Sequence, residues 1–69
     1  MYVSLTRKKA IEVESLPAAS AAIRQFIELN GFGSSDFAGG NVYNSSTNKL
    51  IAKVSYNGRI WDAQGAEIL

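Results

Sequence analysis

The stretch SLPAASAAIRQFIELNG, residues 15–31, decides the fold because it predicts a single amphipathic helix. Ser15 is a favourable N-cap, and Pro17 falls in the first turn, where its missing N–H leaves no hydrogen bond unmade. Apolar residues recur every three or four positions along one side: Ala19, Ala22, Ile23, Phe26, Ile27 and Leu29. Such a stripe indicates a helix that packs against another element. Asn30-Gly31 predicts the end of the helix, since both residues tolerate left-handed backbone angles.

The segment before the helix, residues 2–14, alternates apolar and polar side chains and therefore predicts β structure. Two arrangements fit. One is a hairpin with strands at 2–6 and 10–14 and a turn at residues 7–9; the other is one long strand. The usual strand length of about five or six residues favours the hairpin. The turn itself contains no Gly, Asn or Asp, so its own signal is weak.

The segment after the helix, GFGSSDFAGG at residues 31–40, predicts a loop. Its two aromatic residues, Phe32 and Phe37, are expected to lie under the end of the helix. Exposing a phenyl ring forfeits about 1.5–3 kcal/mol of burial energy, which favours a tucked position for both rings.

The C-terminal third predicts three strands, at residues 41–44, 49–56 and 59–63. Asn57-Gly58 between the last two is typical of a two-residue type I′ turn. With that turn, Lys53 would face Asp62 and cross-strand neighbours would share a face. The side beneath the helix would carry Leu50, Ala52, Val54, Tyr56 and Trp61. The other side would carry Ile51, Lys53, Ser55, Ile60 and Asp62.

The chain of 69 residues, 1–69, is short enough for one domain only. Its predicted order is β(β)-α-β-β-β. Sequential antiparallel strands give an α+β fold: one antiparallel sheet of four or five strands with the single helix packed on one face. A domain this small has a thin core, which self-association as a homodimer would enlarge.

The composition excludes several kinds of chemistry. The chain has no cysteine and no histidine, so disulfides, cysteine or histidine catalysis and an ordinary zinc site are not expected. We expect no metal, no small-molecule cofactor and no enzymatic activity. No apolar run approaches the roughly 18 residues that span a bilayer, and the basic residues follow rather than precede the first apolar stretch. A cytoplasmic protein without a membrane partner is expected.

The remaining candidate is a binding surface on the hairpin and on the sheet face away from the helix. Tyrosine, tryptophan and arginine dominate binding hot spots, and β-branched residues on an uncovered face form an interaction patch. The alternative is that the aromatic residues belong to the core, with the arginine stem covering them. The predicted partner-binding residues are Arg59, Tyr56, Ile51, Ile60 and Lys53.

The strings SAAIRQFI at residues 20–27 and IAKVSYNGRIW at 51–61, separated by the loop at 31–40, resemble small orphan proteins of phages and mobile elements, among them anti-CRISPR proteins. The resemblance implies one helix on a small antiparallel sheet. It also implies an inhibitor that occupies a site on a host protein or ribonucleoprotein complex. It assigns no functional residues.

A second function uses the basic residues. The formal net charge is only +1, whereas nucleic-acid binders usually show a clear basic excess on one face. The run Arg7-Lys8-Lys9 is either a solvated turn or a phosphate clamp. A nucleic-acid site would combine this run with lysines of the sheet, Lys49 and Lys53.

Overall fold

The computed structural model describes residues 1–31, 33, 37 and 39–68. Within them it has a five-stranded antiparallel sheet and a single helix, which confirms the predicted α+β fold. The elements are β1 (Tyr2–Ser4), β2 (Ala10–Glu12), α1 (Leu16–Asn30), β3 (Asn41–Tyr43), β4 (Leu50–Val54) and β5 (Ile60–Asp62). The strands lie side by side in the order β2-β1-β3-β4-β5, and each neighbouring pair is antiparallel.

The first two strands form a hairpin, which settles the choice between a hairpin and one long strand. Val3 pairs with Ile11, and the turn is closed where the Lys9 carbonyl accepts from the N–H groups of Leu5, at 2.7 Å, and Thr6, at 3.1 Å. Each strand has three residues and is shorter than predicted. The basic run Arg7-Lys8-Lys9 occupies the exposed turn between them.

The helix α1 has the predicted ends. The Ser15 hydroxyl accepts from the N–H of Ala18 at 3.1 Å, and Pro17 lies in the first turn. At the other end, Gly31 adopts a φ of 64° and donates its N–H to the Ile27 carbonyl. The predicted apolar stripe is narrower than expected, because Leu29 is 77% exposed.

The core lies between α1 and one face of the sheet. It consists of Val3, Leu5, Val13, Ala19, Ile23, Ile27, Val42, Ala52, Val54 and Ile60. Phe37 is partly buried and packs against this core, whereas Phe32, for which the same position is predicted, lies outside the described residues. Because α1 covers only one side, residues that alternate with the core residues along the strands face away from the helix.

The predicted register of the β4–β5 hairpin is wrong by one residue. Lys53 pairs with Trp61, and Val54 pairs with Ile60. The loop has three residues rather than two: the Ser55 N–H donates to the Arg59 carbonyl, and the N–H of Gly58 donates back to the Ser55 carbonyl, each at 2.9 Å. Gly58 has a φ of 88°, which identifies a turn followed by a left-handed residue.

A one-residue change of register moves every side chain of a strand to the opposite face. Ile60, predicted on the uncovered side, is therefore in the core and only 2% exposed. Trp61, predicted in the core, faces away from the helix opposite Lys53. Asp62 lies opposite Ala52, so the predicted pair of Lys53 with Asp62 does not form.

Gly40, just before β3, makes backbone hydrogen bonds to both β1 and β4. Its N–H donates to the Ser4 carbonyl at 2.7 Å, and its carbonyl accepts from Val54 N–H at 2.6 Å. A Cβ on Gly40 would overlap the Val54 carbonyl oxygen, and the φ of Gly40 is 97°. Glycine is therefore required at position 40.

The residues after β5 turn back along its outer edge. The N–H of Asp62 donates to the Ala66 carbonyl at 2.8 Å, and the N–H of Ile68 donates to the Ile60 carbonyl at 2.7 Å. Glu67 thereby forms a bridge with Trp61. This turn, with a φ of 93° at Gly65, repeats the three-residue loop of the preceding hairpin.

Candidate functional site

The sheet face away from α1 carries a mixed set of aromatic and charged side chains. We call it the open face. Strand alternation and register assign to it Glu12, Tyr2, Tyr43, Asn41, Lys53, Ser55, Arg59, Trp61 and Glu67. In the described part of the chain, no helix or strand packs over this face.

Trp61 lies at the centre of the half of the open face formed by β4 and β5. Lys53 is its neighbour on one side and Glu67 its neighbour on the other. The indole is only partly buried, although tryptophan has one of the largest apolar surfaces of any side chain. This partly exposed ring between charged residues is the strongest candidate for a binding residue on the open face.

Two open depressions flank Trp61. One, of about 290 Å³, is lined by Gly39, Gly40, Asn41, Lys53, Val54, Ser55, Trp61 and Gly65. Gly39, Gly40 and Gly65 contribute no side chains to this lining. The other, of about 320 Å³, is lined by Ser55, Tyr56, Asn57, Arg59 and Trp61. Trp61 therefore forms a ridge between two grooves, each of which includes one basic side chain.

The charges beside Trp61 are available to a partner. Arg59 and Glu67 are 3.9 Å apart at their closest charged atoms, and the side chain of Arg59 is 60% exposed. An exposed ion pair at that distance contributes little to stability, about 0–1 kcal/mol. Breaking it to contact another molecule therefore costs little.

The half of the open face formed by β1, β2 and β3 carries a pair of stacked tyrosines. The rings of Tyr2 and Tyr43, on neighbouring strands, stack with their centroids 5.2 Å apart. The Tyr2 hydroxyl donates to the side-chain oxygen of Asn48 at 3.1 Å. Beside them, Glu12 accepts from Ser45 at 2.9 Å and lies 3.5 Å from the amino group of Met1. The polar groups of Tyr2 and Glu12 are therefore already engaged within the molecule.

The five predicted partner-binding residues are not on one surface. Lys53 and Arg59 lie on the open face and are exposed. Tyr56 and Ile51 are partly buried and pack against the core. Tyr56 also accepts, through its carbonyl, a hydrogen bond of 3.4 Å from Arg24 of the helix. Ile60 is buried, so it cannot contact a partner in the folded protein.

The basic residues of the alternative site do not converge either. Arg7, Lys8 and Lys9 form the turn after β1, at the end of the sheet near Arg59. Lys49 precedes β4 and lies at the opposite end, where its carbonyl accepts from the N–H of Asn44.

Sequence reasoning missed Trp61 because the loop length set the wrong register. A signal was present: Ser55-Tyr56-Asn57-Gly58-Arg59 and Asp62-Ala63-Gln64-Gly65-Ala66 both place glycine fourth in five residues. Three-residue hairpin loops commonly need glycine as their last residue. Reading both segments as the same loop gives the observed register.

Comparisons with protein-family models, with curated proteins and with solved structures each found no match to this chain. Within the described residues, no helix is long and apolar enough to cross a bilayer. In the same residues, no group of three or more acidic side chains is placed to hold a metal ion. The class of protein is therefore defined by its structure alone. It is a small α+β protein in which, within the described residues, a helix packs on one face of the sheet only.

Proposed function

We propose that this protein is a non-catalytic protein-binding module whose binding site is the open face around Trp61. The observation that carries the proposal is the position of the indole, partly exposed on a sheet surface between Lys53 and Glu67. An aromatic anchor surrounded by charged side chains resembles the centre and rim of a protein interface.

The two grooves beside the indole support this proposal. A partner that inserts side chains into both would contact Trp61 from each depression and remove more of the ring from water. Lys53 and Arg59 lie where they can meet acidic groups on such a partner. Opposite charges at an interface chiefly set orientation and association rate, whereas the buried aromatic residue supplies the affinity.

The resemblance to phage and mobile-element proteins favours one form of this function, which is inhibition. The protein would occupy a site on a host protein or ribonucleoprotein complex, as anti-CRISPR proteins do, and would block it without turnover. A functional test is to express the protein in cells that carry an active CRISPR system and to measure interference. Undiminished interference by every system tested would contradict this form but not protein binding itself.

Alanine variants test the open face directly. The partner is first isolated from a host lysate by affinity capture on the unmodified protein. We expect Trp61→Ala to weaken binding to this partner by about 30-fold or more, since hot-spot truncations cost about 2 kcal/mol or more. Lys53→Ala should weaken it less and should act mainly on the association rate. Lys49→Ala is the matched control, because it removes an exposed lysine at the other end of the sheet.

Binding is measured by titration with the purified partner, and folding of each variant by circular dichroism. If Trp61→Ala and Lys53→Ala are folded and bind as tightly as the unmodified protein, the open face is not the binding site. If Lys49→Ala weakens binding as much as they do, the effect is not specific to this face.

A second candidate function is binding of single-stranded nucleic acid. It is favoured by one observation, the placement of Lys53 directly opposite Trp61 on a sheet surface. A base stacked on an aromatic ring contributes about 1–3 kcal/mol, and a neighbouring lysine can contact phosphate. Arg7, Lys8 and Lys9 lie beyond the same end of the sheet.

This alternative predicts quenching of Trp61 fluorescence by a single-stranded oligonucleotide. Trp61 is the only tryptophan in the chain, so the signal reports on this one site. The affinity should fall steeply as the salt concentration rises, because phosphate contacts release counterions. The absence of quenching at low salt would exclude this function.

A further inference from the structure

The outer edge of β2 differs from the other edge of the sheet. On the β5 side, residues 66–68 lie along the strand and cover it. In the described part of the chain, β2 pairs with β1 alone, and its other side has no strand beside it. Ala10 and Glu12 on this edge are both exposed.

The hydrogen-bond pattern shows which backbone groups are free to pair. Leu5 donates to Lys9, and Val13 donates to Met1, so odd-numbered residues of the second strand direct their backbone groups towards β1. In an antiparallel pair, alternate residues point these groups to the opposite side. The N–H and carbonyl groups of Ala10 and Glu12 therefore point outward.

The charges along this edge are arranged with opposite signs at its two ends. Arg7, Lys8 and Lys9 precede the strand, whereas Glu12 and Glu14 occupy its end and the following residues. Lysines on an edge usually prevent pairing with other strands. Here the charge order favours antiparallel pairing with an identical strand, because each basic end then meets an acidic end.

We propose that the outer edge of β2 pairs antiparallel with the same edge of a second copy of this chain. Ala10 of each copy would exchange backbone hydrogen bonds with Glu12 of the other, across a twofold axis at Ile11. Lys8 lies in the turn just before the paired Lys9, and in this register the turn of each copy is the part that lies nearest Glu14 of the other. The interface is isologous, so each contact occurs twice.

The pairing makes one continuous sheet with both helices on one side. The two open faces then lie on the other side, and each keeps its own Trp61. A dimer with two equivalent binding faces engages a partner that has two sites more tightly than either face alone. Pairing through β2 does not involve Trp61, so this inference stands or fails separately from the proposed function.

Charge exchange tests the proposal. We expect the unmodified protein to show a concentration-dependent shift from monomer to dimer in sedimentation equilibrium. Lys8→Glu and Glu14→Lys should each weaken this dimer by about tenfold, since like charges would then face each other. A mixture of the two variants should regain dimers, because every facing pair is again opposite in sign.

Ala10→Pro provides a second, independent variant. Proline removes only the outward N–H and leaves the hydrogen bonds to β1 in place, so the monomer should stay folded by circular dichroism while dimers disappear. Trp61→Ala, by contrast, should dimerise normally. The proposal is overturned if the protein remains monomeric up to millimolar concentration, or if the mixture of charge variants fails to restore dimers.

Discussion

Replacing Ile60 and Trp61 separately with alanine tests the register on which the binding site depends. The two residues are adjacent in β5 but face opposite sides of the sheet. Ile60 is 2% exposed in the core, so truncation leaves a cavity. Such Ile→Ala changes cost about 2–5 kcal/mol. Trp61 is only partly buried and lies on the open face, so its truncation leaves no enclosed cavity and should cost about 1–2 kcal/mol, the value of the apolar surface that the ring buries.

The stability loss expected for Ile60→Ala is large relative to the total stability of a chain of this length. A domain of 69 residues has a free energy of unfolding of about 3–10 kcal/mol. A loss of 2 kcal/mol therefore removes at least a fifth of it and lowers the Tm by about 8 °C or more. Ile60→Val is a graded control, since losing one methylene costs about 0.5–1.5 kcal/mol.

The assay is urea denaturation followed by far-ultraviolet circular dichroism, which does not rely on tryptophan. The order of stability should be unmodified protein, then Ile60→Val and Trp61→Ala, then Ile60→Ala. If Trp61→Ala is less stable than Ile60→Ala, the indole is in the core and the two-residue loop is correct. The open face would then lose its central residue.

Three further predictions concern the framework. Gly40→Ala should abolish folding, measured by loss of the cooperative thermal transition, because its Cβ would overlap a carbonyl oxygen of β4. Gly65→Ala is its control: with nothing within 4 Å, it suffers only backbone strain of about 1–2 kcal/mol. Ser15→Ala should lower the free energy of unfolding by about 1 kcal/mol through loss of the N-cap; an unchanged urea midpoint would contradict the cap. Ser20→Ala should cost about 1 kcal/mol, since its hydroxyl donates to the Gly58 carbonyl at 2.7 Å, and Ser20→Thr should recover part of that loss.

The helix could be predicted from the sequence because its signals are local. The cap at Ser15, the proline in the first turn and the left-handed Gly31 all act within a few residues of the helix ends. The spacing of apolar residues then indicates which side is buried. Leu29 was misassigned because periodicity does not show how far the partner sheet extends.

The β4–β5 register is only weakly specified by local sequence, because Asn57-Gly58 fits both loop lengths and only the matching positions of Gly58 and Gly65 favour the three-residue loop. Tertiary contacts hold this loop: Ser20 donates to the Gly58 carbonyl, and the side chain of Arg24 lies 3.1 Å from the place that a Cβ on Gly58 would take. These contacts join residues more than thirty positions apart. Lys53 and Arg59 of the predicted site lie on the open face. The change of register puts Trp61 on that face in place of Ile60, which is in the core.

The position of residues 66–68 along the outer edge of β5 has a consequence for aggregation. Sheets with two free margins can add strands indefinitely and grow into fibres. In this protein, residues 66–68 occupy one margin. Strand addition at β2 would use up the other margin in both molecules, so growth by this route would stop at two copies.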